Sequence, residues 1–145
     1  MKTFFAALAF ALISTTSFSQ NDAIFGKWKT VDDNTGKVRS IVEIYEKDGK
    51  AYGRIVKLFR TPEQIQDPVC ENCEGDRKGE KVLGLEIMRG MEDDGDEWDD
   101  GTILDPESGK VYDCIIWIDE DNPNTLNVRG YIAFFYRTQY WKRVE

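Results

Sequence analysis

Residues 38–59 read VRSIVEIYEKDGKAYGRIVKLF. Val38, Ser40, Val42 and Ile44 fall on one side of this stretch; Arg39, Ile41, Glu43 and Tyr45 fall on the other. A period of two is the mark of a β-strand, because successive side chains leave a strand on opposite faces. Arg39 to Lys47 is therefore a strand. Asp48-Gly49 follows it, and this pair accepts the positive φ angles of a tight hairpin. Tyr52 to Phe59 then returns as an antiparallel partner.

The same reading extends outward. Ile24 to Val31 is a strand, joined to the next by the turn Asp33-Asn34-Thr35-Gly36. Residues 61–80 break the pattern with Pro62, Pro68, two cysteines, Gly75 and Gly79. A segment this long exceeds the usual connection of ~4–6 residues and reads as a loop. Further strands are expected at Val82 to Met91, Trp98 to Leu104, Val111 to Ile118, Thr125 to Ile132 and Phe134 to Arg143. In Val111 to Ile118 the faces separate cleanly. Tyr112, Cys114, Ile116 and Ile118 share one side; Val111, Asp113, Ile115 and Trp117 share the other. The expected fold is all-β: a small antiparallel up-and-down barrel of eight strands. A sandwich solves the same burial problem. Glycines at 53, 84, 90, 101 and 130 inside strand patterns point to bulges and bends, which a curling barrel requires.

The chain has 145 residues, 27 of them acidic and 19 basic. Its first residues have the form of an export signal. Lys2 precedes the apolar run Phe4 to Ile13, and Ser17 and Ser19 suit cleavage before Gln20. Ten apolar residues are too few to span a bilayer, which takes about 20. Residues 1–19 are thus expected to be a secretory signal peptide and residues 20–145 a single domain, periplasmic or extracellular. Residues 1–19 hold one lysine and no acid, so the mature chain keeps 27 acids against 18 bases. Such a surface repels nucleic acid and anionic lipid. The oligomeric state is left open by the sequence.

Gly26-Lys-Trp28, Tyr52-Gly-Arg-Ile55, Cys70-x-x-Cys73, Trp98-x-x-Gly101-Thr-Ile-Leu-Asp-Pro106, Gly109-Lys-Val-Tyr112, Leu126-x-Val-Arg-Gly130 and Arg137-Thr-Gln-x-Trp141-x-Arg143 follow one another along the chain. Together they resemble the bacterial exported family catalogued as domain of unknown function 2147, over residues 24–144. That resemblance implies no established activity. A wider resemblance is to lipocalins and other calycin-type barrels, which also open with Gly-x-Trp on the first strand. It implies that Trp28 closes one barrel end and that Arg143 or Arg137 packs across it. Lipocalins usually have a large first loop, whereas the long loop here joins strands three and four.

Several groupings invite chemistry. Cys70 and Cys73 in a loop form a structural disulfide, a redox pair or half a zinc site. The acidic flanks of this loop oppose a low thiol pKa. The zinc alternative recruits Cys114 as a third sulfur. Otherwise no cofactor is expected, and the catalytic set is empty. Histidine is absent, which removes any Ser-His-Asp arrangement. The acidic run Glu92 to Asp100 fails the EF-hand spacing. Arg54, Tyr112, Arg129 and Tyr131 are the candidate ligand contacts. If Leu126 and Val128 face the core, Arg129 points outward.

Three functions follow as expectations. The first is non-enzymatic binding of a small, partly apolar molecule in the barrel interior or mouth. The second is a structural or envelope-interaction role for a filled barrel without ligand. The third is a thiol- or carboxylate-dependent enzyme, for which Cys70, Cys114, Glu86 and Asp113 are the groups to inspect. Side-chain size inside the barrel discriminates the first two.

Overall fold

The computed structural model describes residues 20–144; the expected signal peptide lies outside the described residues. Eight strands follow in order: β1 (Gly26–Val31), β2 (Val38–Lys47), β3 (Lys50–Leu58), β4 (Glu86–Asp93), β5 (Trp98–Leu104), β6 (Val111–Ile118), β7 (Thr125–Ile132) and β8 (Phe135–Arg143). Each pairs antiparallel with its sequence neighbour, and β8 pairs back onto β1 to close the barrel. The closing seam is short: Trp28 opposes Arg143 and Lys29 opposes Lys142. The Val144 N–H extends the seam by donating to the Lys27 carbonyl at 2.9 Å.

The first and fourth strands begin two or more residues later than in the sequence reading. Gln20–Ile24 forms a 3-10 turn, so the first strand begins at Gly26. The fourth strand begins at Glu86 rather than Val82. The Val82 N–H is turned toward the Pro68 carbonyl (2.9 Å), and Gly84 takes φ +88° while its N–H reaches the Ile55 carbonyl at 2.7 Å. A left-handed glycine ends the extended run there, so the apolar Val82 and Leu85 pack as part of the loop.

Alternation sets the inner face. Val42, Ile44, Ala51, Ile55, Met88, Met91, Cys114, Ile116, Leu126 and Val128 are all buried. Curvature comes where register shifts, including Ala51 to Arg54 and Trp98 to Gly101. At Gly101 a Cβ would stand 2.6 Å from the Arg89 carbonyl and 2.8 Å from the Met91 nitrogen. Only glycine lets β4 and β5 come this close.

Both barrel ends are covered. At one end the 3-10 turn lies across the opening, with Ile24 buried and the Trp98 indole donating to the Asn21 carbonyl at 3.1 Å. Phe25 meets the Trp98 ring edge-on at 5.5 Å. At the other end the β3–β4 connection folds back. Its Cys70 and Cys73 are buried, and the Asn72 side chain donates to the Glu107 carbonyl at 3.0 Å.

Candidate functional site

Among the described residues large side chains occupy the barrel interior. Trp28, Trp141, Met88, Met91, Ile116 and Leu126 are fully buried and converge there. An eight-stranded barrel is just wide enough for such side chains to fill. Two depressions open to solvent outside it, with volumes of about 300 and 360 Å³. The larger lies between the β3–β4 loop, the β5–β6 turn and Ile132.

The four candidate ligand contacts do not meet. Tyr112 is on the inward set with Cys114 and lies against Gly130, whose added Cβ would be 3.4 Å from the Tyr112 Cβ. Arg54 is outside the barrel, paired with Glu43 at 2.6 Å and lying over the Tyr45 ring at 4.8 Å. Arg129 and Tyr131 also face outward, because Leu126 and Val128 take the inside. A single interior site built from all four is therefore not formed. Alternation sets Tyr112 apart from the other three, and the position of β3 around the barrel sets Arg54 apart from Arg129 and Tyr131.

The barrel-end residues divide as well. The Arg143 guanidinium lies 4.2 Å over the Trp28 ring and donates to the Ala23 carbonyl at 2.7 Å. The Trp28 indole donates to the Ile24 carbonyl at 2.8 Å. Arg137 is at the opposite end, paired with Asp33 of the β1–β2 turn.

The outer wall of β6, β7 and β8 carries the densest grouping. Trp117, Asn127 and Tyr140 are directly opposed across the three strands. In the next row Ile115, Arg129 and Thr138 are opposed, then Asp113, Tyr131 and Tyr136. The Arg129 guanidinium is held between two rings, 4.9 Å from Trp117 and 4.5 Å from Tyr136. Its Nε donates to Thr138 Oγ1 at 2.7 Å. Trp117, Asn127, Arg129, Thr138 and Tyr140 line the smaller depression, with Asp119, Glu120 and Asp121 on its rim. Asn127 was missed in the sequence reading. Its only signal was an amide side chain in mid-strand, where asparagine is normally depleted.

Residues 26–143 match the family described as an uncharacterized protein conserved in bacteria, DUF2147. This chain belongs to that family. The match begins at the first residue of β1 and ends at the last of β8, so it covers the whole barrel. A solved structure with the same fold is protein HP1028 from the human pathogen Helicobacter pylori, described as belonging to the lipocalin family. It superposes with a TM-score of 0.68 over 83% of this chain and 82% of that one, at 17% identity. The barrel is thus lipocalin-like in fold. A search of curated proteins gave no significant match.

In this DUF2147 barrel Cys70 and Cys73 are joined as a disulfide. Cys114 is separate, free and buried on the inner face. The three-sulfur set Cys70, Cys73 and Cys114 is therefore not assembled. Burial pushes the Cys114 thiol up to about 12, so it stays protonated and unreactive at neutral pH. A thiol reagent should leave native Cys114 unmodified and label it fully after unfolding, as read by mass. Labelling of the folded protein within minutes would contradict the packing described.

The disulfide adds a covalent tie to a loop that backbone hydrogen bonds also hold. The Cys70 N–H donates to the Glu80 carbonyl and the Gly79 N–H to the Cys70 carbonyl, both at 2.8 Å. Cys70→Ser with Cys73→Ser should cost about 2 kcal/mol, the chain-entropy value for so short a ring. Urea unfolding measures it.

Glu86 and Tyr45 form a separate polar group outside β2–β4. The Tyr45 hydroxyl donates to Glu86 at 2.7 Å, and Arg89 bonds both Glu86 and Asp76. Burial and then the Glu86 contact push Tyr45 up to about 12. Burial alone would raise Glu86, but hydrogen bonds from Tyr45 and Arg89 outweigh it and hold the carboxyl below its ordinary value. A carboxylate so paired ties the loop at Asp76 to the sheet and is poorly suited to donate a proton. Among the described residues Asp94, Glu97 and Asp99 bring carboxylate oxygens within 4.8 Å of one another in the β4–β5 turn. Partial burial and then neighbouring acids raise Asp99. No helix among the described residues is long and apolar enough to cross a membrane.

Proposed function

We propose that this chain is an exported, non-enzymatic binding protein whose barrel is a solid support and whose recognition surface is the outer wall of β6–β8. One contrast carries the reading. The inner face is packed with Trp28, Trp141, Met88 and Met91, while the outer wall leaves Asn127, Arg129 and Tyr140 around an open depression. The membership of a bacterial family and the disulfide fit an oxidising compartment outside the cytoplasm.

Native mass spectrometry of the protein from its own compartment tests this. A small molecule should accompany the wild-type chain and be lost on denaturation. Arg129→Ala should lose it in the folded state. Retention of the molecule by folded Arg129→Ala would place binding elsewhere and overturn the reading.

A second reading rests on a different observation. The β7–β8 hairpin exposes Phe134 (98%) and Phe135 (79%) at its tip, with Ile132 and Tyr136 beside them. A protruding pair of phenylalanines flanked by tyrosines suits shallow insertion into a lipid interface. The double variant Phe134→Ser, Phe135→Ser should abolish co-sedimentation with neutral phosphatidylcholine vesicles. Stability should stay within about 0.5 kcal/mol, as is usual for surface positions. Wild-type protein that stays in the supernatant would remove this reading.

A further inference from the structure

We infer that the outer-wall depression is a subsite for a neutral saccharide, with Asn127 accepting and Arg129 donating hydrogen bonds. The inference rests on the outer-wall reading above and names its ligand class.

The starting point is an unpartnered buried acceptor. Asn127 is only 3% exposed, and its Oδ1 has no hydrogen-bond partner. The amide cannot simply turn over. Its Nδ2 donates to Asp119 Oδ2 at 3.2 Å. The other Asp119 oxygen is fixed by the backbone N–H groups of Asp121 (3.0 Å) and Asn122 (3.1 Å). These bonds, with the Asn127 bond itself first, hold the Asp119 carboxyl below its ordinary range, so it stays an acceptor and keeps Nδ2 toward it. Oδ1 is thereby turned away from Asp119, in a side chain that lines the depression. Leaving such a group unmatched costs ~1–3 kcal/mol, a cost that a ligand donor removes.

Two residues along the same face stands the complementary group. Arg129 spends Nε on Thr138, and its plane is clamped between Trp117 and Tyr136. It forms no ion pair among the described residues. Its terminal N–H groups are left to donate outward. An i, i+2 spacing on a strand sets the two Cα atoms about 6–7 Å apart on one face. Tyr140, directly opposite Asn127 and 55% exposed, adds an aromatic face beside them.

A ligand must therefore donate, accept and present a flat apolar side. A sugar ring does all three, since each hydroxyl donates and accepts and the C–H face is apolar. Charge selects the kind of sugar. Asp119, Glu120 and Asp121 line the depression against one guanidinium. A uronate or sugar phosphate meets net repulsion, and a neutral sugar does not. The open shape agrees: about 300 Å³ is the small end of the range for ligand sites.

The test is a titration of the mature, ¹⁵N-labelled protein with tri-N-acetylchitotriose and, separately, maltotriose. The Trp117 indole and Asn127 amide signals report binding. At least one sugar should shift them saturably. Asn127→Ala and Arg129→Ala should each weaken that binding at least tenfold. Silence of both sugars, or equal shifts in both variants, overturns the inference. If both sugars are silent but folded Arg129→Ala still loses the co-purified molecule, the saccharide class falls and the outer-wall reading stands.

Discussion

Trp28→Ala is expected to lower the unfolding free energy by about 3–5 kcal/mol, the range for truncating a buried tryptophan. The ring is fully buried where the barrel closes. It links three elements at once. β1 pairs with β8 over a short register, Trp28–Arg143 and Lys29–Lys142. The indole donates to Ile24 of the N-terminal turn, and Arg143 covers the ring while bonding Ala23. Removing the indole leaves a cavity and frees Arg143 from its platform. A domain of this size has only ~5–15 kcal/mol to lose, so much of the population is expected to unfold in modest urea. Trp28→Phe keeps most of the apolar area and loses the Ile24 hydrogen bond, worth ~1 kcal/mol, so it should fall between. Equilibrium urea unfolding decides the matter. A cost below ~1 kcal/mol for Trp28→Ala would show that the seam is held by other contacts.

Gly109→Ala should cost about 2–5 kcal/mol, although it adds one methyl group to a surface turn. Gly109 has φ +74°, a conformation that costs a side-chain-bearing residue ~1–2 kcal/mol. Its Cβ would also stand 1.9 Å from the Asn72 carbonyl oxygen and 2.9 Å from the Cys73 nitrogen. Both are backbone atoms of the disulfide loop, so the loop must shift, at a further ~1–3 kcal/mol. Gly36 provides the control. It occupies the matching place in the β1–β2 turn at φ +69°, with its N–H on the Asp32 carbonyl at 2.8 Å as Gly109 has on Asp105. Nothing lies within 4 Å of a Cβ there. Gly36→Ala should therefore cost only about 1 kcal/mol, the conformational part. The difference between the two measures how tightly the loop is clamped over the barrel end. In the Cys70→Ser, Cys73→Ser background that difference should shrink, because neighbouring sites couple. Equal costs at Gly36 and Gly109 would mean the loop yields freely.

Much of the wall was legible in one dimension. A period of two assigned Cys114 and Ile116 to one face and Trp117 to the other, since the pleat gives a strand residue only two directions. The same rule settled Arg129 once Leu126 and Val128 were placed inside. Asp48-Gly49 marked its hairpin because the turn needs positive φ at both residues, and both have it. Val82 to Leu85 misled for a local reason: an apolar run buried under a loop has the composition of a strand.

What periodicity could not supply was convergence. Whether the barrel is hollow depends on how far Trp28, Met88 and Trp141 reach toward one axis from strands far apart in the chain. The cover at each end depends likewise on contacts between remote segments, such as Trp98 with Asn21 and Asn72 with Glu107. Asn127 shows the limit most clearly. Its residue type is plain in the sequence. That one of its atoms is buried and unmatched follows only from Trp117 and Tyr140 flanking it and Asp119 fixing its amide. The sequence alone determined which way each side chain leaves its strand, because local backbone geometry suffices for that. The tertiary structure decided what each side chain then meets, because burial is a property of neighbours brought together by folding.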